Sequence, residues 1–366
     1  MIFIIIIIML MILSLLFYVN GNGLLSFIKI FFNIKIKDYW ITFSLINLLF
    51  MCLLLIQNKF AHIINGYWMA ISAYLFMFSI LASIIKLLPL DNNIIKAIDI
   101  SKVVLTIIVV IVGMVTVKDL KTTSYEISTY KNINDLNIVV FSDTHLGHQI
   151  GYDTVAKIVK KVNILNPDIV FIPGDIFNTD MKNIKDLNKV TEELSKIKSK
   201  YGVYATLGNH DGYKGNDDIR TFLSKSNITL LQDESHTIDN LVIVGRLDAS
   251  PIERSLKNYN RKSIEDLVKD IPEDKYVILL DHQPSDTNNA IKNNVDLIVS
   301  GHTHDGQIFP GSLITNAIFK VGYGHKRFEN TDVIVTSGAG FWGPPIRVGT
   351  KSEIVNIKLN VKENTY

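Results

Sequence analysis

The stretch Ile169-Val170-Phe171-Ile172-Pro173-Gly174-Asp175 reads as a short strand that stops at Pro-Gly and presents one carboxylate, Asp175, at its C-terminal edge. A continuous apolar run of this length, closed by turn residues, is the pattern of a strand covered on both faces. Other runs end in the same way. Ile138–Ser142 leads into Asp143-Thr144-His145, and Val203–Leu207 leads into Gly208-Asn209-His210-Asp211. Val277–Leu280 leads into Asp281-His282, and Leu297–Ser300 leads into Gly301-His302-Thr303-His304. Ligands of open α/β sheets bind outside the carboxyl ends of the strands. That placement puts Asp175 at the middle of a cluster, as the candidate bridge between two metal ions.

Around these strands the chain alternates with helical spacing, which argues for an α/β layer fold rather than a bundle. Tyr152–Leu165 carries Val155, Ile158, Val159 and Val162 on one face, and Ile184–Lys198 carries Leu187, Val190, Leu194 and Ile197. Asp217–Ser226, Ser263–Lys269 and Ser285–Lys292 are shorter helical candidates. After residue 227 strands dominate, at Ile228–Leu231, Leu241–Val244, Val333–Thr336 and Ile354–Leu359. Residues 118–134 read as a linker running into an edge strand at Tyr125–Tyr130.

The first third is different in kind. Ile2–Val19, Tyr39–Gln57, Tyr67–Leu88 and Val103–Val117 are apolar. The first three are long enough to cross ~30 Å of hydrocarbon, and Ile98 and Ile100 extend the fourth. Tyr39, Trp40, Tyr67 and Trp68 stand at segment starts, as interfacial aromatics do. Buried core helices are the alternative, but no polar stripe is visible. The first segment lacks a basic start and a small-x-small cleavage site, so it reads as a retained helix.

The resulting division is a four-helix transmembrane region over 1–119 and a catalytic domain over 120–366. The loop Asn20–Asp38 holds Lys29, Lys35 and Lys37, and the connection after the third segment holds Lys86, Lys96 and Lys102. The loop between segments two and three holds only Lys59. The positive-inside bias then places both termini, and with them the catalytic domain, outside the cytoplasm. The apolar segments carry almost no charge, which argues against a transport path through them.

Formal charge is +2 over 366 residues, which gives no case for nucleic-acid binding by bulk electrostatics. The single cysteine, Cys52, excludes an intrachain disulfide and a cysteine-based metal site. What remains is a His/Asp/Asn donor set: Asp143, His145, Asp175, Asn209, His282, His302 and His304. Two divalent ions sharing a carboxylate need such a mixture, with open positions left for water and a phosphate oxygen. A thiolate-free shell of this kind fits Mn, Fe or Zn. His210 follows Asn209, so both cannot easily face one metal. His210 is the candidate general acid, with Asp211 placed to hold its imidazole.

Taken in order, Asp-x-His, Gly-Asp, Gly-Asn-His-Asp, a lone His and Gly-His-x-His, these motifs resemble the calcineurin-like metallophosphoesterases over roughly residues 120–360. The bacterial membrane-associated branch is the most similar. Its later pattern is matched by Ser337-Gly338-Ala339-Gly340, Pro345-Ile346-Arg347 and Glu353-Ile354. The resemblance implies a four-layer α/β/β/α sandwich with a dinuclear centre. One metal takes Asp143, His145, Asp175 and His304, and the other takes Asp175, Asn209, His282 and His302. A bridging hydroxide attacks phosphorus while His210 assists the leaving oxygen. Asn209, His210 and Arg347 are candidate substrate contacts.

One departure is Asp305, where the branch usually has glycine. It is free to orient His304, to repel an anionic substrate or to face solvent. His148 is a further candidate lining residue, whereas His236 and His325 read as surface residues and His62 is given no role. The expected activity is hydrolysis of phosphate mono- or diesters by an integral protein of a bacterial membrane, on an envelope or lipid-linked substrate, with the bilayer as a partner and no obligate protein partner. Alternatives are a nucleotide-lipid pyrophosphatase, a protein phosphatase and a non-catalytic membrane receptor or scaffold. Retention of every ligand argues against the last.

Overall fold

The structure, a computed structural model, describes residues 2–32, 44, 47–48, 56, 59–178, 181–211, 216–249 and 260–362, with the side chains of 2–13 and 216–217 left aside. It divides into two compact units. One comprises Met1–Val115 with Gly343–Val348, and the other Thr116–Trp342 with Gly349–Tyr366.

The first unit contains α1 (Ile2–Phe32), α2 (Lys59–Ile85) and α3 (Asn92–Thr116). All three are long and apolar enough to cross a membrane. The second apolar segment, Tyr39–Gln57, lies almost wholly outside the described residues. The first segment does not end at Val19. Its Asn-Gly-Asn-Gly continuation, read as a loop, stays helical through Phe32. The reason is packing between helices. Asn20 is fully buried and its Nδ2 donates to the Ser72 carbonyl of α2 at 2.9 Å. A Cβ at Gly23 would collide with the Ser79 hydroxyl. Small residues let helix backbones approach in lipid, and polar side chains bond across.

The helices are also not free of charge. On α3, Asp99 and Lys102 are both buried. Asp99 Oδ1 accepts from Lys86 Nζ at 2.5 Å, Lys102 Nζ at 2.6 Å and Ser26 Oγ at 2.9 Å. Lys102 is thus a paired interior group of a helix rather than a loop cation.

The second unit is a sandwich of two six-stranded sheets flanked by helices. One sheet is ordered β1 (Leu120–Thr129), β12 (Ser352–Val361), β2 (Leu136–Val140), β3 (Ile169–Pro173), β4 (Val203–Thr206), β5 (Ile228–Leu230). The other is ordered β10 (Gly324–Phe328), β11 (Thr331–Val335), β9 (Leu297–Ser300), β8 (Tyr276–Leu280), β7 (Leu241–Gly245), β6 (Glu234–Ile238). Helices α4 (Tyr152–Ile164), α5 (Leu187–Leu194) and α6 (Asn216–Lys225) belong with the first sheet in sequence, and α7 (Ile264–Val268) and α8 (Thr287–Lys292) with the second.

The apolar runs explain the layering, because successive side chains of a strand point to opposite faces. In β3, Ile169 and Phe171 join the cluster between the sheets, whereas Val170 and Ile172 join the cluster under α4 and α5. In β8, Tyr276, Ile278 and Leu280 enter the inter-sheet cluster, and Val277 and Leu279 pack with Ile264 of α7 and Ala290 of α8. Central strands such as β3 and β8 therefore need apolar residues on both faces, and a one-residue slip would exchange the two cores.

The edge strand expected at Tyr125–Tyr130 is present but starts earlier, as β1, which takes in part of the presumed linker and pairs in parallel with β12 from Leu120↔Ser352 to Thr129↔Val361. The outer strands β6 and β10 are polar, Glu-Ser-His-Thr-Ile and Gly-His-Lys-Arg-Phe, as edge strands that avoid pairing with other chains tend to be.

Phe171 is fully buried between the sheets. We expect Phe171→Ala to destabilise the second unit by about 3–5 kcal/mol, the usual cost of removing a buried aromatic ring. Denaturant unfolding of the detergent-solubilised chain checks this, and an unchanged midpoint would contradict the layering.

Candidate metal centre

The loops that follow β2, β3, β4, β8 and β9 meet at one end of the two sheets. Their backbone is bent to do so. Asp143, His145, Asp175, His302 and His304 all have positive φ, between 47° and 70°. Side chains rarely adopt this region, and each such residue costs of order 1–3 kcal/mol unless its surroundings enforce it. Here they do. Asp143 N donates to the Gly174 carbonyl at 3.1 Å and His145 N to the Asp175 carbonyl at 3.1 Å. Gly174, at φ +83°, ends β3 where a Cβ would sit 2.6 Å from His282 Nδ1. The Pro-Gly stop lets the His282 ring lie directly on the strand end.

The ligand atoms form two clusters. Asp143, His145 and His304 bring theirs within 4.8 Å of one another, and so do Asp175, His282 and His302. Asp175 joins the two, with Oδ2 lying 3.7 Å from His145 Nε2 and 3.2 Å from His282 Nε2. Its other oxygen, Oδ1, accepts the His210 backbone N–H at 2.8 Å. Asn209 Oδ1 sits 3.1 Å from His282 Nε2 and 2.8 Å from His302 Nδ1, so it shares the second cluster. His282 Nδ1 donates to the Pro173 carbonyl at 2.8 Å, which leaves Nε2 as the nitrogen facing Asp175.

Electrostatics show what this arrangement needs. Burial pushes the Asp143 carboxyl up to about 7, with Asp175 adding to the rise against the pull of His282. Burial also opposes the charge on Asp175, but His282 and His145 hold that carboxyl below the usual range. His282 is raised well above its ordinary value, since Asp175 and Asp143 outweigh its burial, whereas burial and His282 press His302 down to about 4. Asp143 Oδ2 is buried without a hydrogen-bond partner. Carboxylates and imidazoles packed this tightly compete for protons, and divalent cations relieve that competition. The donor set and the orphaned oxygen both fit two such ions.

Supporting residues escaped the sequence reading. Asp281, next to His282, is buried and receives Arg246 at 3.1 Å and Arg261 at 2.6 Å. Fully buried Glu353 accepts from Ser337 N at 3.0 Å and Thr336 Oγ1 at 3.1 Å. It thereby holds the loop in which Ala339 N and Gly340 N donate to the Ser142 and Asp143 carbonyls. A charged residue inside an apolar strand run, as in Ser352-Glu353-Ile354, was the available signal.

Other candidates fall elsewhere. Asp211 does not hold the His210 ring. Its two oxygens accept the Phe177 and Gly208 backbone N–H groups, each at 2.8 Å, so it clasps the β3 and β4 loops together. The His210 ring stands edge-on to His145 at 5.0 Å and 5.7 Å from the Trp342 ring, and burial lowers its pKa. Arg347 is fully buried and belongs to the N-terminal unit, where its N–H donates to the Gly113 carbonyl of α3 at 3.1 Å. His325 is a half-buried partner of Asp332 at 2.7 Å rather than a simple surface residue. Asp305 has φ 52°, which explains the usual glycine there, and aspartate is among the residues that tolerate that conformation.

A profile of the calcineurin-like phosphoesterases matches residues 136–306. An uncharacterized metallophosphoesterase of Aquifex aeolicus is 32% identical over 67% of this chain and 94% of its own length. The chain belongs to the calcineurin-like phosphoesterase family. The relatives it matches bear the name metallophosphoesterase. One of Campylobacter jejuni is 35% identical over 67% of this chain, and the chain spans 64% of that relative's length. A transmembrane protein with metallophosphoesterase domain from Danio rerio is 29% identical over 91% of this chain and 77% of its own.

Because one carboxylate faces both clusters, Asp175→Asn should release both ions, whereas His304→Ala should mainly release one. Elemental analysis of the purified variants reads this directly. Two ions retained by Asp175→Asn would refute a bridging role.

Proposed function

We propose that this chain hydrolyses phosphate mono- or diesters carried by a lipid-linked or envelope molecule, from a catalytic unit on the extracytoplasmic side of the membrane. The observation that carries the chemistry is Asp175 Oδ2 facing His145 at 3.7 Å and His282 at 3.2 Å, one oxygen shared by two ligand clusters. In this reading Asp143, His145, Asp175 and His304 hold one ion, and Asp175, Asn209, His282 and His302 the other. Such a pair supplies an activated water and neutralises charge on the phosphoryl oxygens.

The chain's own residues do the rest. Pro173 and the Arg246–Asp281–Arg261 bridge fix the His282 ring and its loop. Asp211 sets the position of Gly208, and Asp175 that of the His210 backbone. His210, beside both clusters but outside the ligand set, donates a proton to the departing oxygen. The lipid-linked substrate is supported by the apolar helices that precede the catalytic unit.

The side of the membrane is supported by Lys86 and Lys96, which flank the α2–α3 hairpin. A cytoplasmic hairpin makes α3 exit on the opposite face. A cysteine at Lys196, in a Cys52→Ser background, should react with an impermeant thiol reagent added to intact cells. Labelling only after lysis would reverse the topology.

His210→Ala should keep its metals and lose activity on alkyl esters by about 10²–10⁴-fold, the usual contribution of a general acid. Aryl esters such as bis-p-nitrophenyl phosphate, whose leaving group departs without a proton, should lose far less. Equal losses on both would assign His210 to phosphoryl binding, and loss of a metal would make it a ligand.

A further inference from the structure

Helix α9 (Gly311–Ile318) is folded with its polarity inverted. Leu313, Ile314, Ala317 and Ile318 fall on one face, at i, i+1, i+4 and i+5. That face is the exposed one, with Leu313 63%, Ile314 58% and Ile318 68% exposed. Ser312 and Thr315, on the other face, turn inward and are half-buried. An amphipathic helix in water does the reverse. Phe309, just before the helix, is 45% exposed, and so is more than half of Trp342, at 53%.

This apolar surface is built onto the rim of the metal centre. At one end, Gln307 follows His304 closely, and its side chain clasps the Trp342 backbone through two 2.8 Å bonds. Trp342 in turn lies 5.7 Å from the His210 ring. At the other end, Phe319 follows Ile318 and stands edge-on to the His302 ring at 6.0 Å.

A patch of large apolar side chains on a water-soluble surface marks a contact, and the chain itself identifies the contact. Three membrane-length helices anchor it, and α3 ends at Thr116 while β1 begins at Leu120. That tether reaches at most about 14 Å. Trp342 is one peptide bond from Gly343, the first residue of a segment that packs within the helical unit. We infer that Phe309, the apolar face of α9 and Trp342 form an interfacial platform that enters the lipid surface and delivers a phosphate ester carried by a membrane amphiphile to the metal centre. A helix with one apolar face suits the headgroup boundary, and tryptophan favours the same depth. The substrate half of this inference rests on the function proposed above, whereas the lipid contact does not.

The test uses the full chain in vesicles of phosphatidylcholine and phosphatidylglycerol. A fluorescent nitrobenzoxadiazole probe is attached at Ile314→Cys in a Cys52→Ser background. Asn330→Cys, at the opposite ends of the strands, serves as the control. The Ile314 probe should be blue-shifted and quenched by nitroxide-labelled lipid, and the control should be neither. A water-like, unquenched Ile314 probe overturns the platform. So does a blue-shifted but unquenched one, which would mean that protein, this chain's helices or a second copy, covers the face.

In a second arm, Leu313→Ser/Ile314→Ser/Ile318→Ser should lower the ratio of activity on a vesicle-embedded phosphate ester to that on bis-p-nitrophenyl phosphate. The drop should be about tenfold or more, since each large apolar side chain withdrawn from water contributes about that factor in partitioning. An unchanged ratio overturns substrate delivery. Failure of the Mn-loaded wild type to hydrolyse either ester would instead defeat the proposed function, and the quenching result is read independently of it.

Discussion

Two carboxylates, Asp143 and Asp175, are buried next to each other among imidazoles, and the catalytic unit is arranged around keeping them there. Buried like charges are among the most costly features a fold can contain. The response here is distributed. Burial raises the Asp143 carboxyl to about 7, His282 chiefly holds the Asp175 carboxyl below the usual range, and burial lowers His302 to about 4. Protons are thus shared unevenly across a coupled group, as expected when sites interact strongly. Divalent cations replace that uneven sharing with fixed charge. The left-handed turns at Asp143 and His145 are sustained by their backbone hydrogen bonds to the Gly174 and Asp175 carbonyls.

Much of this was legible in the sequence because strand ends have a conspicuous signature. Apolar runs such as Ile169–Pro173 and Leu297–Ser300 identify buried strands, and the polar residues that interrupt them are confined to the ends where strands open. A sheet with parallel neighbours collects those ends on one edge, so separate motifs converge without any sequence statement of the convergence. The convergence of Asp143, His145, Asp175, His282, His302 and His304 was therefore readable, and so was the layered architecture.

What was not readable was direction. Asp211 adjoins His210 in sequence, yet its carboxylate turns to the backbone of Gly208 and Phe177, since those two loops present buried N–H groups with a shared need. Arg347 follows a string of motif residues, yet it groups with the helical unit. The tautomer of His282 depends on the Pro173 carbonyl, a partner 109 residues away. For Asp211 and His282 the side chain's chemistry was evident and its partner was a backbone group, which no residue identity announces.

The same distinction governs the apolar and polar patterns. Periodicity shows which residues share an environment, not which environment it is. Asn20 and Gly23 resemble loop residues until the medium outside the helix is hydrocarbon, where a polar or small residue belongs on the protein side and apolar residues belong outside. Helix α9 repeats that inversion in a unit otherwise built as a water-soluble sandwich: Ser312 and Thr315 inward, Leu313, Ile314 and Ile318 outward. A single chain that applies the aqueous rule in its sheets and the hydrocarbon rule in α1 and α9 has two solvents to satisfy. On the lipid contact inferred for α9, the boundary between those solvents passes along the edge of the second unit that carries α9 and Trp342, beside His210 and His302.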